Sequence, residues 1–312
     1  MKVLISGGAG FIGSHLADAL VEKNYSVSIL DNFSSGKEEN IKAIKNKIEL
    51  IHGDILDKEL LLKATKNVDY VFHLAAQTSV VESIKDPLKT FEINTKGTRF
   101  LFYACAKNKV KKVIFASSAA VYGDNLKLPK KESFKPSPIS AYGLSKYMAE
   151  KLSNLFYKKT KLKIISLRYF NVYGPRQDEK SNYAGVISKF ISSILKNQQP
   201  IVFGDGTQTR DFVYVKDVVK ANLLAMEKEN LNNDIINIAS SKPTSILDLI
   251  KTINKLTNKT IEPIFKEARE GEIKHSYASI EKAKKVLGFK PEYDLQKGLK
   301  ETIEWYKKNI KN

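Results

Sequence analysis

Short apolar runs alternate along the first half of the chain with longer stretches in which apolar residues recur every three or four positions. The short runs are typical of buried strands, and the spaced pattern is typical of amphipathic helices. Strands and helices that alternate in this way form a parallel sheet with helices on its faces. The pattern predicts strands at residues 3–6, 26–30, 48–52, 68–74, 112–117 and 162–168, and helices at 11–22, 88–108 and 140–159.

The alternation becomes less regular after about residue 170. Two segments rich in Gly, Pro and polar residues, FNVYGPRQ and FGDGTQTRDF, are predicted to be loops. A helix at 215–228, a strand near 235–239 and helices near 246–256 and 295–309 follow. We therefore predict an α/β protein in which residues 1–170 form a doubly wound parallel sheet of the Rossmann type. Residues 171–312 are predicted to form a smaller, more irregular α/β substrate-binding domain, with some segments that return to the first domain.

The composition is that of an ordinary folded protein, with 312 residues of which 42% are hydrophobic. No apolar run approaches the roughly 18 residues needed to span a bilayer, so no membrane association is expected. A single cysteine, Cys105, cannot form an intramolecular disulfide and indicates a reducing, cytoplasmic location. The four histidines lack metal-ligand spacing, so no metal site is expected.

The 52 basic residues exceed the 34 acidic residues by 18, which at first suggests an acidic partner such as nucleic acid. The lysines lie in scattered clusters without interleaved aromatic residues, however, and nucleic-acid binding is not expected. Only five of the basic residues are arginines. Where lysine is used so widely, an arginine marks a candidate position for bidentate binding by a planar guanidinium. The five are Arg99, Arg168, Arg176, Arg210 and Arg269.

The segment GGAGFIG, from Gly7 to Gly13, directly follows the first predicted strand and opens the first helix. Glycines allow a tight turn and a close approach to a pyrophosphate, whose charge the helix N-terminus stabilises. Asp31 stands at the tip of the second strand, 18 residues past Gly13, where it can accept hydrogen bonds from ribose hydroxyls and repel a 2′-phosphate. This arrangement predicts NAD rather than NADP. A glycine-rich turn without a ligand and an FAD site are the alternatives.

Tyr142 and Lys146 are four residues apart in the helix predicted at 140–159, so both side chains leave the same face. A tyrosine with its ordinary pKa of about 10 is a poor base at neutral pH. A neighbouring ammonium and a cationic nicotinamide ring would lower that pKa and permit proton transfer. Ser117 and Ser118 end a predicted parallel strand, where ligands bind in open α/β sheets, and Ser118 can hydrogen-bond the reacting hydroxyl of a substrate. The alternative is a solvent-facing tyrosine and lysine without a chemical role.

The chain resembles the extended short-chain dehydrogenase/reductase family, and within it the UDP-sugar 4-epimerases. The resemblance spans essentially the whole chain, in the segments GGAGFIGSH, DNFSSG, HGDI, HLAAQ, SSAAVYGD, AYGLSK, LRYFNVYGP, TRDFVYVKDV and REGEI. It implies that Ser118 and Tyr142 are catalytic, with Lys146 as their partner. It also implies an NAD site that consists of Gly7, Gly10, Phe11, Ile12, Asp31, Asn32, Asp54, Ile55, Ala75, Gln77, Asn94, Tyr142, Lys146 and Tyr169. We add Ser117, at the end of the predicted strand, to this site.

The same resemblance implies a nucleotide-sugar site in the second half of the chain. Arg210 and Arg269 fall where the family grips the nucleotide diphosphate, although each could instead form a surface ion pair. Asn171 and Glu272 match family positions for the sugar phosphate and for the ribose of the nucleotide. A UDP-sugar is therefore the expected substrate.

Two positions depart from the pattern of some family members. Ser276 stands where some members carry a large tyrosine that closes the sugar pocket, and its small size predicts room for a 2-acetamido group. Thr78 replaces a lysine that some members place near the diphosphate, which leaves the local phosphate contacts in doubt. UDP-N-acetylglucosamine and its galacto epimer are therefore expected substrates beside UDP-glucose and UDP-galactose.

The implied reaction is a reversible, NAD-dependent epimerisation at C4 through a 4-keto sugar. The related 4,6-dehydratases place Asp and Glu after the strand-end hydroxyl, where this chain has Ala119 and Ala120. A 4-keto-sugar reductase usually needs NADPH, which Asp31 disfavours, and a decarboxylase or a non-catalytic NAD-binding protein are further alternatives. The resemblance also implies a homodimer through the helices at 88–108 and 140–159, whose apolar faces could equally be buried within the monomer.

Overall fold

The computed structural model describes residues 1–178, 185–268 and 273–309. Its strands are β1 (Lys2–Ser6), β2 (Ser26–Asp31), β3 (Ile48–His52), β4 (Tyr70–His73), β5 (Lys112–Ser118), β6 (Lys163–Tyr169), β7 (Asn171–Tyr173), β8 (Ile201–Phe203), β9 (Thr209–Tyr214), β10 (Ile235–Ile238), β11 (Pro243–Ser245), β12 (Ile264–Lys266) and β13 (His275–Ser276). Its helices are α1 (Phe11–Glu22), α2 (Glu38–Ile41), α3 (Lys58–Ala64), α4 (Val80–Lys85), α5 (Pro87–Phe91), α6 (Thr98–Lys107), α7 (Ala141–Thr160), α8 (Val186–Leu195), α9 (Val215–Glu227), α10 (Ile246–Thr257), α11 (Glu281–Leu287) and α12 (Leu295–Asn309). Short 3₁₀ segments lie at Lys42–Lys47 and Ala119–Tyr122, and a π-helical segment, Glu92–Gly97, joins α5 to α6.

Seven parallel strands form the main sheet, in the order β3-β2-β1-β4-β5-β6-β10. The order reverses between β1 and β4, and in such sheets the ligand crevice lies outside the carboxyl ends of the strands at the reversal. β10 comes from the second half of the chain and pairs with β6, so that Ile235 lies beside Ser166 and Ile238 beside Tyr169. The predicted doubly wound parallel sheet is confirmed.

Helices cover both faces of this sheet, which is why consecutive residues in its central strands are apolar and buried. Val3, Leu4 and Ile5 of β1 are all fully buried. Val3 and Ile5 pack in the cluster that includes α1 and α9, whereas Leu4 packs on the opposite face with α3, α6 and α7. The sheet is therefore a rigid platform that fixes the positions of its strand ends.

The second half contributes a sheet in which β9 pairs with β7, β11 and β13, and a smaller pairing of β8 with β12. The prediction that FGDGTQTRDF is a loop was wrong at both ends, because the segment contains the end of β8 and the start of β9. Gly204 and Gly206 adopt φ values of +76° and +75°, so the turn is confined to the residues between the two strands. The segment FNVYGPRQ likewise contains β7, whose three residues are too few to show a strand period.

The helix predicted at 88–108 consists of α5, the π-helical segment and α6 in succession. Pro87 occupies the first turn of α5, and the Asp86 carboxylate accepts a hydrogen bond from the Lys89 N–H at 3.0 Å. Its apolar face is not wholly buried within the monomer. Leu88 is 80% exposed, and Leu155 of α7 is 50% exposed.

The described ranges contain neither a candidate membrane span nor a candidate metal site. No helix there has the length and apolar character that a membrane span requires. No three side chains of the types His, Cys, Asp and Glu in the same ranges lie close enough together to hold a metal ion.

Candidate active site

A cavity of about 830 Å³ lies along the carboxyl ends of β1 to β6, where the strand order reverses. Of the residues predicted to bind the cofactor, all except Asn94 line this cavity. They are Gly7, Gly10, Phe11, Ile12, Asp31, Asn32, Asp54, Ile55, Ala75, Gln77, Ser117, Tyr142, Lys146 and Tyr169. Ser118 and Thr78 lie in the same wall. Residues that are far apart in the sequence therefore meet at a single crevice.

The glycine loop has the close packing that its sequence predicts. Gly7 has a φ of +74°, and a Cβ atom there would lie 2.7 Å from the backbone nitrogen of Ala75. A Cβ atom on Gly13 would lie 2.2 Å from the carbonyl oxygen of Gly7. Helix α1 begins at Phe11 after Gly10, and no side chain of the described residues caps it. Its first N–H groups are therefore available to an anion such as a pyrophosphate.

Asp31 holds together the loops that surround the end of β2. Its Oδ2 accepts a hydrogen bond from the Ala9 N–H, and its Oδ1 accepts one from the Phe33 N–H, each at 2.9 Å. Asn32 Nδ2 donates to Asp54 Oδ2 at 2.7 Å. A carboxylate oxygen has more than one lone pair, so Asp31 can accept further hydrogen bonds from a ribose in the cavity. The same charge disfavours a 2′-phosphate.

Gln77 lies in the loop after β4. Its N–H donates to Asn94 Oδ1 at 2.8 Å, and its carbonyl oxygen accepts from Asn94 Nδ2 at 2.9 Å. The side-chain Oε1 of Gln77 is buried and has no hydrogen-bond partner in the described part of the chain. This acceptor beside the cavity suits a ligand hydroxyl or amide. Asn94 itself lies behind the loop, and its contact with the cofactor stays a prediction.

Helix α7 carries Tyr142 and Lys146 into the cavity. The Ser140 hydroxyl caps the helix by accepting a hydrogen bond from the Gly143 N–H at 3.1 Å. Lys146 Nζ donates to the carbonyl oxygen of Ala116 on β5 at 2.9 Å and lies 5.9 Å from the centre of the Tyr142 ring. Ser118, at the end of β5, hydrogen-bonds Tyr142. The phenol, the ammonium and the hydroxyl thus converge as the sequence predicts.

Burial dominates the electrostatics of this group. It raises the pKa of Tyr142 above its ordinary value, and the hydrogen bond with Ser118 acts in the opposite direction. Burial also lowers the pKa of Lys146 to about 7. The predicted lowering of the tyrosine pKa is therefore not produced by the protein groups alone, because desolvation outweighs the hydrogen bond with Ser118. A cationic ring bound beside the phenol would act against this desolvation.

A buried ion pair supports Ser117, near the end of β5. Ser117 Oγ donates to Glu150 Oε1 at 2.6 Å, and Arg168 binds both carboxylate oxygens of Glu150 at 2.8 and 2.7 Å. The side chains of this ion pair are almost completely buried, with exposed fractions of 2% and 1%. The rarity of arginine marked Arg168 as a bidentate residue, but nothing in the sequence identified Glu150 as its partner.

Several other residues line the cavity that were not among the predicted site residues, and four of them are Lys37, Arg176, Gln177 and Asp178. Lys37 and Asp178 form an ion pair at 3.1 Å, and Arg176 pairs with Asp18 of α1 at 2.7 Å. Gln177 Nε2 donates to the carbonyl oxygen of Val172 at 3.1 Å. Three of the four lie in or directly after FNVYGPRQ. A loop from the second half of the chain therefore borders the same crevice.

Of the predicted substrate residues that the structure describes, all but Ser118 lie on the sheet around β9. Arg210 on β9 pairs in register with Ser276 on β13, and Arg210 Nη1 donates to the carbonyl oxygens of Thr209 and Lys274 at 2.9 and 3.2 Å. Asn171 begins β7, and its Nδ2 donates to the Asp211 carbonyl oxygen at 3.3 Å. Of these predicted residues, only Ser118 borders the cavity among the described ones. Two others, Arg269 and Glu272, lie outside the described residues.

The model of the NAD dependent epimerase/dehydratase family matches residues 3–239. The chain belongs to this family. A putative UDP-glucose 4-epimerase of Methanocaldococcus jannaschii is 46% identical over 309 residues, which cover 98% of this chain and 99% of that protein. A UDP-N-acetyl-α-D-glucosaminuronate decarboxylase of Bacillus cytotoxicus is 38% identical and is matched over 98% of each chain.

A solved structure from Methanobrevibacter ruminantium M1, a UDP-N-acetylglucosamine 4-epimerase in complex with UDP-N-acetylmuramic acid, superposes with a TM-score of 0.95. It is 43% identical and matched over 99% of each chain. The family, the fold and NAD dependence, all expected from the sequence, are thereby confirmed.

Proposed function

We propose that this family member interconverts UDP-glucose and UDP-galactose, and also UDP-N-acetylglucosamine and UDP-N-acetylgalactosamine, by epimerisation at C4. The observation that carries the proposal is the convergence of Ser118, Tyr142 and Lys146 on the cavity that the glycine loop also lines. Similarity to named 4-epimerases along the whole chain supports it. A protein that only binds NAD would have no use for a phenol and an ammonium buried side by side.

The residues present fit NAD. Gly7 and Gly10 would let the pyrophosphate approach the uncapped start of α1, and Asp31 would bind the adenosine ribose. The side-chain oxygen of Gln77, which has no partner among the described residues, offers NAD a hydrogen-bond acceptor. When bound, NAD supplies a hydride acceptor and donor at its nicotinamide ring. Lys146 would hold the nicotinamide ribose on the side of the cavity where it meets Tyr142.

The chemistry of the chain's own residues is proton transfer. Tyr142 would take the proton of the sugar 4-hydroxyl as C4 is oxidised and return it when C4 is reduced on the opposite face. Ser118 would hydrogen-bond the same oxygen and stabilise the carbonyl that it becomes. Arg210 would hold the nucleotide end while the keto sugar turns, and Asn171, Arg269 and Glu272 would support it there.

The acetylated sugars are proposed because of Ser276. This residue is half-buried on β13, directly beside Arg210 in the strand register. A serine occupies far less volume than a tyrosine, so the space that a tyrosine ring would fill is open to an acetamido group. A solved relative named for UDP-N-acetylglucosamine supports this assignment.

The competing function is decarboxylation of a UDP-sugar uronate, which shares the oxidation at C4. The 38% identical decarboxylase is the observation that favours it. The two functions are distinguished by incubating the purified protein with UDP-glucose, UDP-N-acetylglucosamine and UDP-glucuronic acid and analysing the products by nuclear magnetic resonance. An epimer keeps the mass and charge of its substrate but changes the C4 signals, whereas decarboxylation removes the carboxylate. Epimers of the first two substrates support the proposal, whereas a pentose product with release of carbon dioxide from the third contradicts it.

We also propose that the protein is a homodimer in the cytoplasm. Helices α4, α5 and α7 pack against one another, and their outer side carries partly exposed apolar side chains. These are Val80, Val81, Ile84, Leu88, Leu144, Met148 and Leu155, with 39 to 80% exposure. A second copy that contacts this patch through its own copy of it would bury these side chains.

The single, buried Cys105 suits a reducing compartment such as the cytoplasm. We further propose two domains, an NAD-binding domain at residues 1–170 and a substrate-binding domain at residues 171–312, with some segments of the second that return to the first.

A further inference from the structure

The π-helical segment places Asn94 where a regular helix would not. It spans Glu92–Gly97, between α5 and α6, and such segments widen a helix by one residue per turn. Asn94 is 1% exposed. Its Oδ1 accepts from the Gln77 N–H at 2.8 Å, and its Nδ2 donates to the Gln77 carbonyl at 2.9 Å and to Ser145 Oγ at 3.0 Å. One amide therefore holds both the cofactor loop and the catalytic helix.

A chain of hydrogen bonds fixes Asn94 from the opposite side. Thr98 Oγ1 donates to the Asn94 carbonyl oxygen at 2.6 Å, so its single proton is committed. His73 Nε2 must then donate to Thr98 Oγ1 at 2.8 Å, and Ser6 Oγ must donate to His73 Nδ1 at 2.7 Å. This tautomer is assigned from the network. This series of hydrogen bonds begins at Ser6, at the end of β1 and next to the glycine loop.

Ser145 extends the network to the proposed base. Its hydroxyl accepts from Asn94 and donates to the carbonyl oxygen of Tyr142 at 2.8 Å. It lies between Tyr142 and Lys146 in α7 and is fully buried. A displacement of Ser145 would therefore move the first turn of α7, where the phenol is attached.

We infer that Asn94 is a positioning residue, which uses Ser145 to hold Tyr142 at a fixed distance from the cofactor loop at Gln77. The inference deepens the proposed function and rests on it for its kinetic part. It differs from a role as a direct ligand of NAD because both polar groups of the Asn94 side chain already have protein partners. Proton transfer requires donor and acceptor within hydrogen-bond reach, so a small shift of the helix start should lower turnover.

The test compares Asn94→Ala, Ser145→Ala and the double variant with Ser153→Ala as the matched control. Ser153 is also buried in α7, and its hydroxyl donates to the Glu150 backbone carbonyl at 2.7 Å in the same local geometry. Within residues 1–178, 185–268 and 273–309, no residue from another helix donates to it. Ser145→Ala should lower kcat by about ten-fold with NAD retention unchanged. Asn94→Ala should lower both kcat and NAD retention, and the kcat of the double variant should be no lower than that of Asn94→Ala. Ser153→Ala should keep kcat within about two-fold.

A second readout does not depend on turnover. Hydrogen exchange at the amides of residues 141–147 should be faster in Asn94→Ala and Ser145→Ala than in the unmodified protein and in Ser153→Ala. Unchanged kcat and exchange in Ser145→Ala, with NAD lost from Asn94→Ala, would identify Asn94 as a ligand and overturn the inference. Equal losses of kcat in Ser145→Ala and Ser153→Ala would also overturn the inference, because they would show only that each serine stabilises the helix. If the unmodified protein converts no UDP-sugar, the proposed function fails, and the exchange rates still decide the inference.

Discussion

At Tyr142, two effects of the protein act against each other. Burial raises the pKa of the phenol, while the hydrogen bond with Ser118 lowers it. Burial also disfavours the charged form of Lys146. The site thus holds two groups in an environment that makes both of them less ionised than in water. A reaction that needs a phenolate and an ammonium depends on the charge that a ligand brings.

Lys146 carries a prediction for stability against pH. Burial lowers the pKa of Lys146 from 10.5 to about 7, so between these values the unfolded chain binds more protons than the folded one. The free energy of unfolding therefore gains a term that rises with pH across this window. Lys146→Met lacks the term. The free energy of unfolding of the native protein, minus that of Lys146→Met, should rise by about 1 kcal/mol per pH unit between pH 7 and pH 9. Thermal denaturation of both proteins across this range measures the difference. A difference that stays constant with pH would contradict the assigned direction.

Ser276 carries a prediction for specificity. Ser276→Tyr should lower kcat/KM for UDP-N-acetylglucosamine by at least about ten-fold, because the ring would occupy the space proposed for the acetamido group. The value for UDP-glucose should change little. Ser276→Ala is the control, since it removes the hydroxyl without filling the space, and both substrates should be retained. Equal losses for the two sugars in Ser276→Tyr would show that Ser276 does not face the 2-position.

Sequence patterns predicted the secondary-structure elements of the first half of the chain more accurately than those of the second half. Helices α1 and α7 and most strands up to β6 are long enough to show their periods, and the predicted bounds of α1 and β3 are those of the structure. β7, β8 and β11 have three residues each, too few for a period to appear. The π-helical segment was missed because its side chains have the composition of an ordinary helix.

The same contrast applies to the site. The glycine loop, Asp31 and the pair Tyr142 and Lys146 could be found because each depends on local spacing along one or two elements. Glu150 and Ser145 could not, because their partners Arg168 and Asn94 come from elements that only the fold brings together. Long-range polar networks leave no local pattern in a single sequence.

The end of α9 carries a prediction for stability. Lys112 of β5 is 4% exposed, and its Nζ donates to the carbonyl oxygens of Ala225, Met226 and Lys228 at 3.1, 3.0 and 2.6 Å. Lys112→Met would leave these carbonyls without the ammonium and should lower the free energy of unfolding by about 2 kcal/mol.

The adjacent lysine supplies the control. The side chain of Lys111 is 60% exposed and pairs with Asp69 at 2.8 Å. Lys111→Met should change stability by less than about 0.5 kcal/mol, because exposed ion pairs contribute little. Thermal denaturation of both variants is the measurement. Equal effects, or no effect of Lys112→Met, would show that the carbonyls at the end of α9 find other partners.

For the whole molecule, the patch on α4, α5 and α7 predicts the oligomeric state. The double variant Ile84→Glu, Leu88→Glu should convert the proposed dimer to a monomer, because both side chains are largely exposed in one chain, at 68 and 80%. Light scattering after size-exclusion chromatography measures the mass. Leu126→Glu is the control, since Leu126 is 92% exposed but lies outside these helices. A native protein that is already monomeric would contradict the proposal.

In the proposed reaction, C4 of a UDP-sugar is oxidised and reduced within one site, with Tyr142 as the proton acceptor. The most direct measurement uses UDP-glucose with deuterium at C4, incubated in ordinary water and followed by nuclear magnetic resonance. We expect UDP-galactose that keeps the deuterium at C4, because the hydride returns to the sugar from which it came, and no product from Tyr142→Phe. Product with hydrogen at C4, or turnover by Tyr142→Phe at the native rate, would rule out the proposed reaction.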